Sequence, residues 1–342
     1  MTYRGRGALL AAIFAVAVIA AVAVACGGGR SAAASQTATP SSGLSSPPIT
    51  SYLADQTRTA KARLIQRLTS PPQVVIFGGS RAMRFDPAYI TQRTGLSGFN
   101  AAVTQARPED TWALLNLLHA RFPKARFRFL WVVHADEFDP RLIDLAILKN
   151  AALARYFPAS LVKSQLPRAL ALAEGGSKGV TIDVPDRGEF AYAPDGFVLS
   201  GFFSNAVPPP NGNVGAIDDN IRKELLIYGN GPAAPQPRSV RYFQRDLRLM
   251  DSLAAAPPVI VAAPFDQRIY AATVHRGWDA HHRQLLALLA RLRATHRFSF
   301  LDLSHAASFG FTPGDFYDGI HLTPRGAQKV IDLVLRRFPS AL

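Results

Sequence analysis

The sequence contains a single cysteine, Cys26, among 342 residues. Because a disulfide needs two cysteines, no internal disulfide can form, and the stability of the fold must come from core packing. The chain also lacks internal repeats and any nucleic-acid-binding motif, so we predict no nucleic-acid partner. Acidic residues are scarce, since 24 Asp and Glu stand against 38 Lys and Arg, which leaves a net charge of +14.

The excess of positive charge is spread along the chain, with a modest concentration in residues 238–297. Two interpretations are open. The favoured one is a solvated basic surface, and the other is attraction to anionic envelope polymers or lipid headgroups.

Residues 1–26 form a predicted signal peptide or membrane anchor. Arg4 and Arg6 precede the wholly apolar run 8–25, and Cys26 follows it. The segment 23–26, Ala-Val-Ala-Cys, resembles a lipoprotein box, which would make Cys26 a lipidation site. An uncleaved anchor and ordinary cleavage after Ala-x-Ala are the alternatives. Each of them places the protein outside the cytoplasm, either anchored in the cell membrane or secreted.

A Ser/Ala/Thr/Pro-rich linker at 27–51 leads to a predicted domain at 52–342. Short apolar runs separated by helical patterns predict a three-layer α/β/α sandwich with a five-stranded, mostly parallel sheet. The predicted strands cover residues 73–77, 98–103, 127–133, 258–262 and 298–303. The predicted helices include 108–122, 240–255, 277–296 and 324–338.

Residues 150–238 interrupt this alternation and carry turn clusters at 208–213 and 230–237. We interpret them as an insertion over the face that carries the site, because long irregular segments are commonly lids or binding loops. A disordered excursion is the alternative.

A serine, an aspartate and a histidine stand in positions that suit nucleophilic catalysis. Ser80 follows the first predicted strand and a Gly-Gly pair, which would expose its hydroxyl at the carboxyl edge of the sheet. Asp318 and His321 precede the last helix. A serine hydroxyl needs a histidine to take its proton, and that histidine needs a carboxylate to fix its tautomer. We therefore predict Ser80, His321 and Asp318 as the catalytic residues.

The pattern Gly78-x-Ser80-x-Ala82 could mark the nucleophile elbow of an α/β-hydrolase. That elbow follows several strands, however, whereas only one predicted strand precedes Ser80. The segments 77–80 and 318–326 instead resemble the first and last blocks of the SGNH, or GDSL, hydrolase superfamily, with Gly79 in place of the usual aspartate. The resemblance implies a flavodoxin-like sheet, serine-hydrolase activity and no cofactor.

The resemblance also implies an oxyanion hole that uses the Ser80 N–H and two further blocks. Ala102 stands near the position of a family glycine, and its N–H can still donate. Asp136 aligns with the family asparagine whose amide donates, but an ionised carboxylate cannot donate. A protonated Asp136, the Asn100 amide or the positive charge of Arg81 could substitute. Asn100 is favoured because an amide needs no pKa shift.

Other interpretations are open for Ser80 and for the histidines of the chain. Ser80 could cap the helix after the first strand, and His321 could be a core histidine paired with Asp318. The segment 134–137, His-Ala-Asp-Glu, and the histidine pair 281–282 could hold metal ligands. Adjacent histidines on a helix point in different directions and no third ligand is spaced to join them, so we predict no metal site.

The main hypothesis is an extracytoplasmic serine esterase or O-acyltransferase tethered to the membrane by residues 1–26. Its partner would be an acylated carbohydrate of the cell envelope or another ester substrate. The second hypothesis is a catalytically weak protein of the same fold that holds a glycan or an envelope-protein partner. A lipid esterase is the third, favoured if the insertion presents an apolar surface beside Ser80.

Overall fold

The computed structural model describes residues 50–52, 57–138, 143–175, 190–200, 211–230 and 234–342. The predicted leader, Cys26 and nearly all of the predicted linker lie outside these residues. Within the described ranges, no helix is both long enough and apolar enough to cross a bilayer.

The strands are short and separated by helices. In chain order they are β1 (Thr50–Tyr52), β2 (Val74–Gly78), β3 (Gly98–Asn100), β4 (Arg128–Val133), β5 (Phe190–Tyr192), β6 (Val198–Ser200), β7 (Val259–Ala262) and β8 (Ser299–Asp302). The helices of the first half are α1 (Thr57–Arg67), α2 (Pro87–Thr94), α3 (Pro108–Arg121), α4 (Leu145–Lys149), α5 (Ala151–Ala154) and α6 (Ala159–Gly175). Those of the second half are α7 (Val214–Asn230), α8 (Pro237–Leu253), α9 (Gln267–Thr273), α10 (Asp279–Leu292) and α11 (Pro324–Arg337).

Five strands form one all-parallel sheet in the order β3-β2-β4-β7-β8. They are the five predicted strands, and the predicted α/β/α fold class is confirmed. Every residue of β2 and β7 is buried, which is why both strands appear in the sequence as continuous apolar runs. Trp131 in β4 packs on Phe243 in α8, with 4.4 Å between the ring centroids.

Helices cover both faces of this sheet. On one face α3 packs against α1 and α8. A second layer contains α2 and α11, which are joined where the Tyr89 hydroxyl donates to Asp332 at 3.0 Å. The predicted helix 277–296 begins later, at Asp279, because the preceding segment Val274–Trp278 contains a kink with non-helical angles at Gly277.

The strand order determines where a ligand can bind. The chain moves from β2 to β3 on one side, then returns past β2 to β4 on the other side. In open α/β sheets the loops diverge at such a reversal and leave a crevice at the carboxyl ends of the strands. Ser80 follows β2 at this reversal, so the topology places the residue that the sequence singles out at this edge of the sheet.

A second, antiparallel sheet joins β1, β5 and β6. The sequence did not predict it, because strands of three residues are too short to show an alternating pattern. β5 and β6 belong to the predicted insertion 150–238, together with α5, α6 and α7.

Lys61 of α1 connects the two sheets from a fully buried position. Its Nζ donates to the carbonyl oxygen of Asn100 at 2.7 Å and to that of Gly196, and it lies 4.7 Å from the ring centroid of Tyr192. Burial lowers the pKa of Lys61 to about 7, although the Asp195 carboxylate acts in the opposite direction.

We expect this lysine to make stability depend on pH. Between pH 7 and about pH 10 the unfolded chain keeps the Lys61 proton and the folded chain releases it, so the free energy of unfolding rises with pH. A shift of this size corresponds to up to about 5 kcal/mol. In denaturant titrations the wild-type protein should gain stability over Lys61→Met as pH rises. Parallel pH profiles for the two proteins would contradict the prediction.

Candidate active site

Ser80 stands at the start of a short 3₁₀ turn, Ser80–Ala82, directly after β2. The side chain that caps the next helix is Asp86, whose carboxylate accepts from the Ala88 N–H at 2.8 Å. The interpretation of Ser80 as the cap of that helix is therefore wrong. Its hydroxyl instead contacts a residue from the far end of the chain.

The structure brings Ser80, His321 and Asp318 into one chain of hydrogen bonds. Ser80 Oγ lies 2.8 Å from His321 Nε2, and His321 Nδ1 lies 2.7 Å from Asp318 Oδ2. The other Asp318 oxygen accepts the backbone N–H groups of Ile320 at 3.1 Å and of His321 at 2.9 Å. These bonds hold the carboxylate in place, and His321 itself is buried.

The electrostatics fix the tautomer of His321. Burial acts to raise the pKa of the Asp318 carboxyl. The charge interaction with His321 and the hydrogen bonds from His321 and Ile320 outweigh burial and lower the pKa to about 2. Asp318 is therefore ionised near neutral pH, and its oxygens can only accept hydrogen bonds. His321 must then carry its proton on Nδ1, which leaves Nε2 free to accept the proton of Ser80.

Two of the predicted oxyanion donors have other partners. The Ala102 N–H donates to Asn100 Oδ1 at 2.9 Å, and Asn100 Nδ2 donates to the carbonyl oxygens of Ala82 at 2.9 Å and Phe85 at 2.8 Å. Asn100 is fully buried, so leaving those bonds would orphan several polar groups. The prediction of Asn100 and Ala102 as oxyanion donors is therefore corrected: Asn100 holds the backbone that follows Ser80.

Arg81 also has partners within the protein. Its Nη1 donates to His134 Nδ1 at 2.7 Å, and its Nη2 donates to Glu224 at 3.3 Å. The guanidinium lies 4.3 Å from the ring centroid of Phe265. Since the charge of Arg81 is already paired with Glu224, Arg81 is not a free cation for an oxyanion. Burial, together with Arg81, lowers the pKa of His134 well below its usual value.

Asp136 lies in a 3₁₀ turn after β4, and its Oδ1 accepts the Tyr228 hydroxyl at 3.4 Å. It therefore accepts a hydrogen bond in the position where the resemblance implied a donor. Burial raises the pKa of nearby Glu224 to about 7, although Arg81 lowers it.

A turn that the sequence analysis missed lies close to Ser80. Gln105 has φ +47°, the one positive φ outside glycine among the described residues. A Cβ atom placed on Gly79 would lie 3.7 Å from the Ala106 nitrogen, so this turn sits beside Gly79 and Ser80. The backbone N–H groups of Ser80 and Ala106 have no hydrogen-bond partner in the described part of the chain. Both N–H groups are candidate donors to a substrate oxygen.

Helix α7 supplies further contacts that the sequence analysis missed. Asn220 donates to the carbonyl oxygen of Asp318 at 2.9 Å, and the same helix carries Glu224 and Tyr228. These residues recur every four positions, and that period was the available signal for one helix face.

No family model matches the chain, and no curated protein matches it. Among solved structures, the chain is similar to "a putative platelet activating factor from Streptococcus pneumonia". The TM-score is 0.38 and the identity 12%, over 83% of this chain and 92% of that one. A likeness at this level carries no functional weight, so the function is inferred from the site itself.

Proposed function

We propose that the protein is a serine esterase or O-acyltransferase of the SGNH type that acts on acyl esters of cell-envelope carbohydrate. The observation that supports it is the hydrogen-bonded series Ser80, His321 and Asp318 at 2.8 and 2.7 Å. These distances match those between a nucleophile, its base and the group that orients the base. Retention of all three would serve no purpose in a protein that only binds.

In the proposed reaction, Ser80 Oγ attacks the acyl carbonyl carbon while its proton passes to His321 Nε2. The negative charge on the carbonyl oxygen is met by the N–H groups of Ser80 and Ala106. When the tetrahedral adduct collapses, the His321 proton goes to the departing sugar oxygen. Water or a second hydroxyl then attacks the acyl-enzyme and gives its proton to His321, which passes a proton to Ser80 Oγ as the acyl–oxygen bond breaks.

The carbohydrate substrate and the extracytoplasmic location remain part of the proposal. The location is supported by the sequence of residues 1–26, whose basic start and apolar run suit export or membrane anchoring. The carbohydrate substrate is supported by the family resemblance together with that location. Exported members that this chain resembles often act in polysaccharide acetylation.

A second candidate is a catalytically weak protein that binds a glycan or an envelope protein. It is favoured by Asp136, whose carboxylate stands where the resemblance implies an amide donor. It is also favoured by Asn100 and Ala102, whose amides are already hydrogen bonded to the protein. Losing one oxyanion donor typically costs about a hundredfold to a thousandfold in rate.

The test is to incubate the full-length protein with nitrophenyl acetate and with a long-chain nitrophenyl ester, and to treat it with a serine-directed phosphonate. We expect turnover of the acetate and a phosphonate adduct on Ser80, located by mass spectrometry. A strong preference for the long chain would indicate a lipid esterase. A folded protein with neither turnover nor an adduct would support the binding protein.

A further inference from the structure

Helix α7 buries polar side chains as well as the apolar ones that helices of a globular domain usually bury. Asn220, Glu224 and Tyr228 lie on one side of α7, with exposed fractions of 5%, 3% and 2%. Burying polar side chains costs free energy unless each finds a partner. The partners of these three residues show which part of the fold the helix serves.

Each residue contacts a different loop at the carboxyl edge of the sheet. Asn220 Nδ2 donates to the carbonyl oxygen of Asp318 at 2.9 Å, on the loop before α11. Glu224 accepts from Arg81, next to Ser80, at 3.3 Å. Tyr228 donates to Asp136, after β4, at 3.4 Å. One helix therefore connects the loop of the nucleophile to the loop of the base.

Apolar contacts also attach helix α7 to the domain. Ile217 and Tyr228 belong to a small apolar cluster with Phe265, Ile269 and Trp278, and α7 packs against α9. This cluster is separate from the main core. It gives the helix a fixed position from which the polar side chains can reach the two loops.

We infer that Asn220 and Glu224 are positioning residues, through which α7 keeps Ser80 and His321 at hydrogen-bonding distance. Neither touches the reacting atoms; Glu224 acts through Arg81, and Asn220 acts through the backbone of Asp318. The catalytic consequence rests on the proposed function. A displacement of about 1 Å in such a site costs about a hundredfold in rate.

The test compares Asn220→Ala and Glu224→Ala with wild type, using full-length protein. Asp218→Ala, on the exposed face of the same helix, is the matched control. The maximal rate of nitrophenyl acetate hydrolysis is divided by the number of sites titrated with phosphonate. The resulting kcat per site leaves unfolded molecules out of the comparison. We expect kcat per site to fall about tenfold to a hundredfold in both variants, with KM within about twofold of the wild-type value.

Deuterium exchange provides a readout that needs no turnover. In Asn220→Ala, exchange of the peptide containing residues 317–321 should accelerate about tenfold or more, since a buried hydrogen bond is lost there. In Glu224→Ala, deuterium exchange of the peptide containing Ser80 should accelerate. If Glu224→Ala does not fold, Glu224→Gln, which keeps the side-chain volume, replaces it.

These outcomes separate the two proposals. Wild-type protein that neither turns over the ester nor reacts at Ser80 would refute the proposed function, while exchange would still test the role of α7. Unchanged exchange in both loops would overturn the positioning role, as would a kcat per site equal to that of Asp218→Ala.

Discussion

Replacing Ser80 by alanine is expected to abolish both ester hydrolysis and phosphonate labelling. Replacing His321 by alanine is expected to lower kcat by about ten-thousandfold or more, because the serine proton then has no acceptor. Steady-state hydrolysis of nitrophenyl acetate by the purified full-length variants measures both effects. The double variant should be no worse than either single one, because the two residues act as a unit.

The chain offers a matched control in a second set of serine, histidine and aspartate. Ser304 Oγ lies 3.4 Å from His282 Nε2, but Asp302 lies 2.8 Å from the same nitrogen. Ser304 and Asp302 contact the same ring nitrogen of His282. His282 therefore cannot accept a serine proton on one nitrogen while the carboxylate binds the other. Ser304→Ala should therefore retain full activity. Activity that survives in Ser80→Ala would refute the assignment of the nucleophile.

Replacing Gly78 by alanine is expected to destabilise the fold by about 3 kcal/mol or more and to inactivate whatever protein still folds. Gly78 ends β2 with φ +144°, and a Cβ atom there would lie 2.6 Å from the carbonyl oxygen of Val132. To remove this clash, β2 and β4 would have to move apart beside Ser80. Equilibrium unfolding in denaturant measures the loss of stability.

The variant Gly95→Ala tests the effect of a positive φ alone, without the steric clash that occurs at Gly78. Gly95 also has a positive φ, +76°, but no atom lies within 4 Å of its added Cβ. Only the cost of the left-handed conformation remains there, about 1–2 kcal/mol. We expect activity per folded molecule to be retained. Equal losses of stability at both glycines would show that the close approach to Val132 contributes nothing.

The central sheet could be predicted because burial on both sides leaves a simple pattern. The strands β2 and β7 are continuous runs of apolar residues, and the helices between the strands repeat with a different period. The pairing of Ser80 with Asp318 and His321 could be anticipated from residue type and chain order. The short strands β5 and β6 could not, since three residues carry too little pattern.

The surroundings of the nucleophile were harder to predict because polar groups compete for partners. Asn100 has the right chemistry to bind an oxyanion, and only the three-dimensional structure shows that its amide is used by Ala82 and Phe85. The left-handed backbone of Gln105 is invisible in sequence, where a glycine would have been the expected signal. The period of four on α7 was visible, but its partners lie far away along the chain.

The bond between Ser80 and His321 joins residues 241 positions apart. When β2, β3 and β4 have been synthesised, Ser80 is present, but His321, its proposed base, is not. Because N-terminal parts of a chain emerge first, the proposed triad is complete only when the loop that carries Asp318 and His321 reaches the sheet. Under the proposed function, a chain truncated before Asp318 should therefore lack hydrolytic activity.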